Sequence, residues 1–366
     1  MPKNQNPIFI HSLFRSGSTW LFERFRTSSA MYWCYQEPYH EALITLNANP
    51  EALLSFSETT VRELRHPNMK APYFQEFYII REELKGKFDK AISYDSFFDP
   101  LACPVFETYT EALIHHAKGR PVLQCCRSFG RVPFLKTAFP GTHILLWRDP
   151  ISQWLSYQIN DYFDITSLSI LNAINPPEVI RLLRSEICLS EFRAENIYEE
   201  HSTLLKFPID SKQRYQIFFT LWLYHIIHNF PLCDMDINVD QLTKDPEYVE
   251  YKKDEFNKLG INDVNITQCM MPATVLSKTD ERYFQTLENW VINLFRQAGY
   301  AADTIEQVLQ QRNAQRPKPK HHKKSLVESA SRARVMAYHY ADRLSGALKE
   351  NNQLRAQLNA LEDKKI

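Results

Sequence analysis

Excess charge of either sign is missing from this sequence. Its 366 residues carry 43 Lys and Arg against 43 Asp and Glu. Overall charge therefore points to neither nucleic acid nor a membrane surface, and an anionic ligand has to be held by local groups of arginine. Long apolar runs are missing too. No run approaches the roughly 20 residues of a membrane span, and the opening MPKNQNP has no apolar signal core. The seven cysteines form no CxxC pair and no metal-ligand spacing. Cys125 and Cys126, adjacent in an apolar run, read as packed thiols, and a reducing cytoplasm is the setting expected. What is present is 44% hydrophobic and 13% aromatic residues, enough to bury a large core in one to three domains.

The stretch that organises the chain is Pro7 to Phe25, PIFIHSLFRSGSTWLFERF. Pro7 to His11 has strand length, and Ser12 to Gly17 is a loop. From Ser18 a helix is predicted, with Trp20, Leu21 and Phe25 on one face. Strand, small-residue loop and helix make an anion site from loop N–H groups and the helix N-terminus. Set against the Walker pattern, Ser12 stands at the first glycine, Gly17 at the second and Thr19 at the hydroxyl. Ser18 replaces the lysine, while Arg15 supplies charge from inside the loop. A nucleoside-triphosphate enzyme is expected to keep that lysine, so the loop suits a different phosphate donor. The bland alternative makes Gly17 an ordinary turn glycine.

RSGSTWL, Arg15 to Leu21, resembles the 5′-phosphosulfate loop of sulfotransferases that use 3′-phosphoadenosine 5′-phosphosulfate (PAPS). A second segment, WRDPISQWLSY from Trp147 to Tyr157, supports the resemblance. Arg148 and Ser156 lie eight residues apart in it, the spacing with which that family grips the donor's 3′-phosphate. The resemblance implies donor contacts from Arg15, Ser16, Gly17, Ser18, Thr19, Trp20, Arg148 and Ser156, with no metal required. Animal carbohydrate members typically carry a Golgi membrane anchor, and this chain departs from them there.

Met31 to Tyr35 is a second strand candidate, running into QEPYHEAL. Pro38 disfavours helix at Glu37. A carboxylate leaving a strand end beside the phosphate loop sits where ligands bind in open α/β sheets; the alternative is a solvated turn glutamate. The resemblance adds that Glu37, Pro38 and His40 match a Glu-Pro pair that lines the acceptor cleft of carbohydrate sulfotransferases. On that reading Glu37 is the candidate general base, with His40 and His11 behind it, and Arg15 stabilises the leaving phosphate.

Pro121 to Cys126 and Thr142 to Trp147 are compact apolar strand candidates, as strands covered on both faces should be. Val132 to Phe139 forms a short crossover between them. Arg127, Arg131 and Arg148 follow strand ends, and could share an anionic site; Arg127 could equally brace a loop. The βαβ rhythm predicts a parallel sheet flanked by helices. With the resemblance it becomes an α/β, P-loop-type three-layer fold plus a C-terminal helical tail.

Elsewhere, turns are expected at Asn47 to Glu51 and His66 to Asn68, and helices over Tyr73 to Leu84, Val105 to His116, Ile151 to Asp161 and Arg214 to Phe230. The aromatics Phe74, Phe77, Tyr78, Tyr94, Phe97 and Phe98 are core residues or sugar-stacking surfaces. Phe163 to Ser211 reads as an irregular, polar insertion with a helical centre at Glu178 to Glu186. His225 and His228 share a helix face as packing residues or ligands. INVDQLTKDP, with Asp240, resembles a weakened sulfotransferase segment, and Glu281 to Tyr300 resembles the last helix of that catalytic domain.

The domain reading is 1–313 catalytic, 314–325 a basic proline-containing linker, and 326–366 a helix. Leu344, Ala347, Asn351, Leu354, Leu358 and Leu361 fall at 3-4-3-4-3 intervals, the seam of a short coiled coil that would form a homodimer or bind a partner helix. The function expected is sulfuryl transfer from PAPS to a carbohydrate-like hydroxyl acceptor, leaving adenosine 3′,5′-bisphosphate. A P-loop kinase or NTPase and a non-catalytic scaffold with a degenerate pocket are the competing classes.

Overall fold

The computed structural model describes residues 6–55, 69, 71–157, 162–271, 274 and 276–316. Five strands form one sheet: β1 (Ile8–Ser12), β2 (Tyr32–Gln36), β3 (Arg120–Cys125), β4 (Thr142–Trp147) and β5 (Met235–Asn238). Their order is β2-β3-β1-β4-β5, and every pairing is parallel. Four strands fall within a residue of the predicted runs. β5 was not anticipated, because MDIN is short and carries a polar Asp236 in mid-strand.

The strands divide their side chains by the two-residue period. Ile8, Ile10, Val122, Ile144, Leu146 and Ile237 pack with Leu21, Phe22 and Phe25 of helix α1 (Ser18–Arg26) on one face. On the other face Phe9, Tyr35, Leu123 and Cys125 meet α2 (Val105–His115) and α3 (Val132–Ala138). Leu145 and Trp147 share that second face with a separate helical cluster. Each such buried side chain is worth about 1.5–3 kcal/mol relative to exposure. The chain is thus an α/β protein of three layers. Because α1 covers one face and the next crossovers the other, the winding reverses beside β1, where open sheets bind ligands.

After β4 come α4 (Pro150–Tyr157), α5 (Tyr162–Leu171), α6 (Glu178–Glu186), α7 (Ile197–Leu204) and α8 (Ser211–Asn229). Behind β5 follow α9 (Val239–Lys244), α10 (Pro246–Lys258), α11 (Lys278–Gln297) and α12 (Ala302–Gln315). The segment read as an irregular insertion is therefore largely helical. In α5, Phe163, Leu168, Ile170 and Leu171 are buried around most of its circumference, leaving no amphipathic stripe to read. Its hydroxyls, which suggest loop, are satisfied inside the helix, with Thr166 bonding Phe163 O and Ser169 bonding Ile165 O. The Tyr73 to Leu84 helix is broken into two short pieces, Gln75–Ile79 and Arg81–Leu84.

α11 is not the last helix. α12 follows it, buries Ile305 and Val308 against the helical cluster, and continues through the first two residues of the expected linker. The turn at 66–68, the last residues of the predicted 151–161 helix and the whole C-terminal seam lie outside the described residues. No helix among the described residues is long and apolar enough to cross a membrane.

Candidate site at the carboxyl ends of the central strands

The loop between β1 and α1 is held open by its backbone. Gly17 has φ +91° and caps α1 without a side-chain bond, while Arg15 has φ +67°. Gly17 therefore offers the first N–H groups of α1 no side-chain acceptor of its own. Ser16 Oγ is fully buried and has no partner among the described residues. Beneath the loop, Cys126 Sγ lies 3.2 Å from Ser12 Oγ and 3.6 Å from Ser18 Oγ. Thr19 Oγ1 accepts from Gln36 Nε2 at 3.5 Å. Trp20 is partly exposed, with its indole N–H buried and without a partner among the described residues, and the Arg24 guanidinium 5.4 Å over its ring.

The two segments singled out in the sequence meet. Arg15 Nε donates to both the backbone O and Oγ of Ser156 on α4, each at 3.2 Å. Arg148 follows β4 and is 3% exposed. Its Nε and Nη2 both reach Asp240 Oδ1 at 3.1 Å. No bond from its Nη1 occurs among the described residues. Asp240 also accepts the Asp149 N–H at 3.0 Å, which explains the acid in INVDQLTKDP.

Glu37 directly follows β2 with φ +50°, an unusual backbone for a non-glycine residue. Its buried carboxylate accepts from Cys126 N at 3.0 and 3.1 Å, from Gln124 Nε2 at 3.3 Å and from Arg127 Nη1 at 2.9 Å. Gln124 Nε2 also reaches Ser12 Oγ, joining the carboxylate to the loop. Arg127 braces this whole corner. From 1% exposure it pairs with Glu41 at 2.9 Å, donates to Tyr94 OH at 3.0 Å and to Tyr162 OH, and lies over the Phe14 ring at 5.1 Å. Two carboxylates face one guanidinium. Burial opposes the Glu41 charge, but Arg127 and then His40 more than offset it and hold the carboxyl well below its ordinary range.

His40 is neutral. Burial pushes it down to about 3. Nδ1 accepts from Ala42 N at 3.0 Å, so the ring proton sits on Nε2, 3.1 Å from Tyr162 OH. His11 lies on the opposite face of the sheet from the loop hydroxyls, 2.8 Å from Ser128 Oγ and 3.0 Å from His143 Nδ1. His225 and His228 bond Asn229 and Tyr300 respectively. The Cys125 and Cys126 thiols are buried and pushed up by that burial.

The hub formed by Arg127, Glu41, Tyr94 and Tyr162 is invisible in sequence, since its members lie up to 121 positions apart. Tyr94 reads in the sequence only as a core or sugar-stacking aromatic, and Tyr162 is not singled out there. The one available signal was an arginine directly after an apolar strand. No family model matches the chain, and neither a curated relative nor a solved structure is significantly similar to it.

Proposed function

We propose that the chain transfers a sulfuryl group from PAPS to a hydroxyl of a carbohydrate-like acceptor. The observation that carries this reading is the meeting of the Arg15 loop with Ser156 on α4, the helix that follows Arg148, at the reversal point of the sheet. The N-terminus of α1 behind its glycine cap, the Ser16 hydroxyl, which has no partner among the described residues, and Arg15 suit a phosphate that gains charge as it leaves. In the reaction the acceptor oxygen bonds to sulfur, the bond from sulfur to the phosphate oxygen breaks, and the acceptor proton passes to a base. Arg15 stabilises the leaving phosphate as a fixed cation and donates no proton. Glu37 is the proposed base. Arg127 and the Cys126 N–H fix its position, and Gln124 links it to the loop. Arg148, backed by Asp240, turns its remaining Nη1 edge toward the donor's 3′-phosphate.

Calorimetry with adenosine 3′,5′-bisphosphate in the absence of magnesium tests the reading. The chain should bind it. Arg148→Ala should weaken it roughly tenfold or more, a charge-assisted contact being worth about 1.5–3 kcal/mol. Adenosine 5′-monophosphate, which lacks the 3′-phosphate, should be affected far less. Binding of ATP with magnesium in preference to the bisphosphate would make the protein a kinase or NTPase. Binding without turnover across an acceptor panel would make it a scaffold.

A further inference from the structure

Helix α12 lies beyond the stretch that carries the resemblance, yet it reaches the donor end of the site. Arg312 on α12 is 5% exposed. Its Nη1 and Nη2 bond Glu288 of α11 at 2.7 and 3.0 Å, and its Nε bonds Asp149 Oδ2 at 3.2 Å. Phe219 and Trp222 of α8 lie under the guanidinium, each 5.9 Å away. The same Trp222 donates its indole N–H to the Arg148 carbonyl. Arg316 stands 3.7 Å from Asp149 Oδ2, and Gln241 donates to the Gln315 carbonyl.

Asp149 is the residue through which this matters. Its Oδ1 accepts from Ile151 N and Ser152 N at 3.1 and 3.2 Å, capping α4, whose far end carries Ser156. Arg148 precedes it in the chain and pairs with a second buried carboxylate, Asp240. A buried carboxylate without a counter-charge is costly and captures the nearest guanidinium. Asp149 is spared that by α12. Burial opposes its charge, but Arg312 and then Arg316 hold the carboxyl below its usual range. Three carboxylates (Asp149, Asp240 and Glu288) here face three guanidiniums (Arg148, Arg312 and Arg316).

We propose that Arg312 is a positioning residue for the donor's 3′-phosphate. By holding Asp149 it leaves the Nη1 edge of Arg148 open to the ligand and fixes the helix that presents Ser156. This rests on the donor reading above.

The test compares adenosine 3′,5′-bisphosphate with adenosine 5′-monophosphate by calorimetry on the full chain. Arg312→Gln strands Glu288, leaves Asp149 only the more distant Arg316, and risks unfolding. The double variant R312Q/E288Q, which removes one charge of each sign, therefore carries the measurement, with folding checked by circular dichroism. The bisphosphate should weaken about tenfold in it, as loss of a charge-assisted contact predicts, and the monophosphate should change far less. Arg312→Lys, which keeps the charge but cannot span both carboxylates, should fall between. Equal weakening of the two nucleotides, or no change in either, reduces Arg312 to a packing strut and overturns the proposal. If the unaltered chain binds no bisphosphate, the donor reading fails first and takes this inference with it.

Discussion

Gly17 concentrates the backbone demand of the loop. At φ +91° a side chain is strained, and a Cβ there would stand 3.0 Å from both Met271 Cε and Val239 Cγ1. The methionine can yield, whereas the branched valine on α9 has little room to move. Gly17→Ala should cost about 1–2 kcal/mol from the left-handed conformation, read as a lower urea midpoint, and should weaken bisphosphate binding by tilting the α1 N–H groups. A midpoint within error of the parent would mean the loop relaxes freely. Glu37 tests chemistry rather than backbone. Glu37→Gln keeps an acceptor for Cys126 N and leaves Glu41 to neutralise Arg127. Donor affinity should hold while turnover on the true acceptor drops roughly 10²–10⁴-fold, the range of general-base contributions. Near-normal turnover would leave Glu37 as the brace of Arg127 and nothing more.

At the level of elements, β1 and β4 are joined by more than their ladder. His11 and His143 stack across the pair with ring centroids 5.3 Å apart, and Phe9 stacks on His143 at 4.8 Å. Ser128 gives its proton to the Cys125 carbonyl, so it accepts from His11 Nδ1, and His11 Nε2 in turn accepts from His143 Nδ1–H. Both rings are neutral. Burial pushes His143 down to about 4, and His225 on α8 and His40 to about 3. An unfolded histidine takes its proton near 6.5, so the unfolded state binds more protons between that pH and the folded values. Stability should therefore fall as pH drops below about 6.5, by up to about 1.4 kcal/mol per pH unit for each such histidine. Glu76 and Asp95, whose carboxyls burial pushes up, act in the opposite sense. Urea midpoints at pH 7.5, 6.0 and 5.0 should decline stepwise. A flat profile across that interval would show that the rings protonate without unfolding.

For the molecule as a whole, α12 ends at Gln315, and the basic stretch and the leucine seam follow it in sequence. We propose that the seam pairs with a second copy through Leu354, Leu358 and Leu361. Isolated helices are marginal in water, and Asn351 at an a-type position favours a parallel pair. Ending the chain after Arg316, so that the contacts of Arg312 and Arg316 stay intact, should lower the mass in light scattering from dimer to monomer. Bisphosphate binding should survive. An unchanged mass would rule out pairing through the tail.

The amino-acid order alone determined the four central strands and the glycine-hinged loop. Those features are local: compact apolar runs and a small-residue turn. It also supplied the α/β class, since strands alternating with helices leave few ways to cover both faces of a sheet. What only the tertiary structure decided is where each buried charge finds its partner. Arg127 with Glu37 and Glu41, Arg148 with Asp240, and Arg312 with Asp149 and Glu288 join residues that are mostly far apart in sequence. α5 was hidden for a related reason, because a helix buried on most sides shows no stripe. Partner choice among buried charges depends on distance and burial, and neither is a property of a residue's neighbours along the chain.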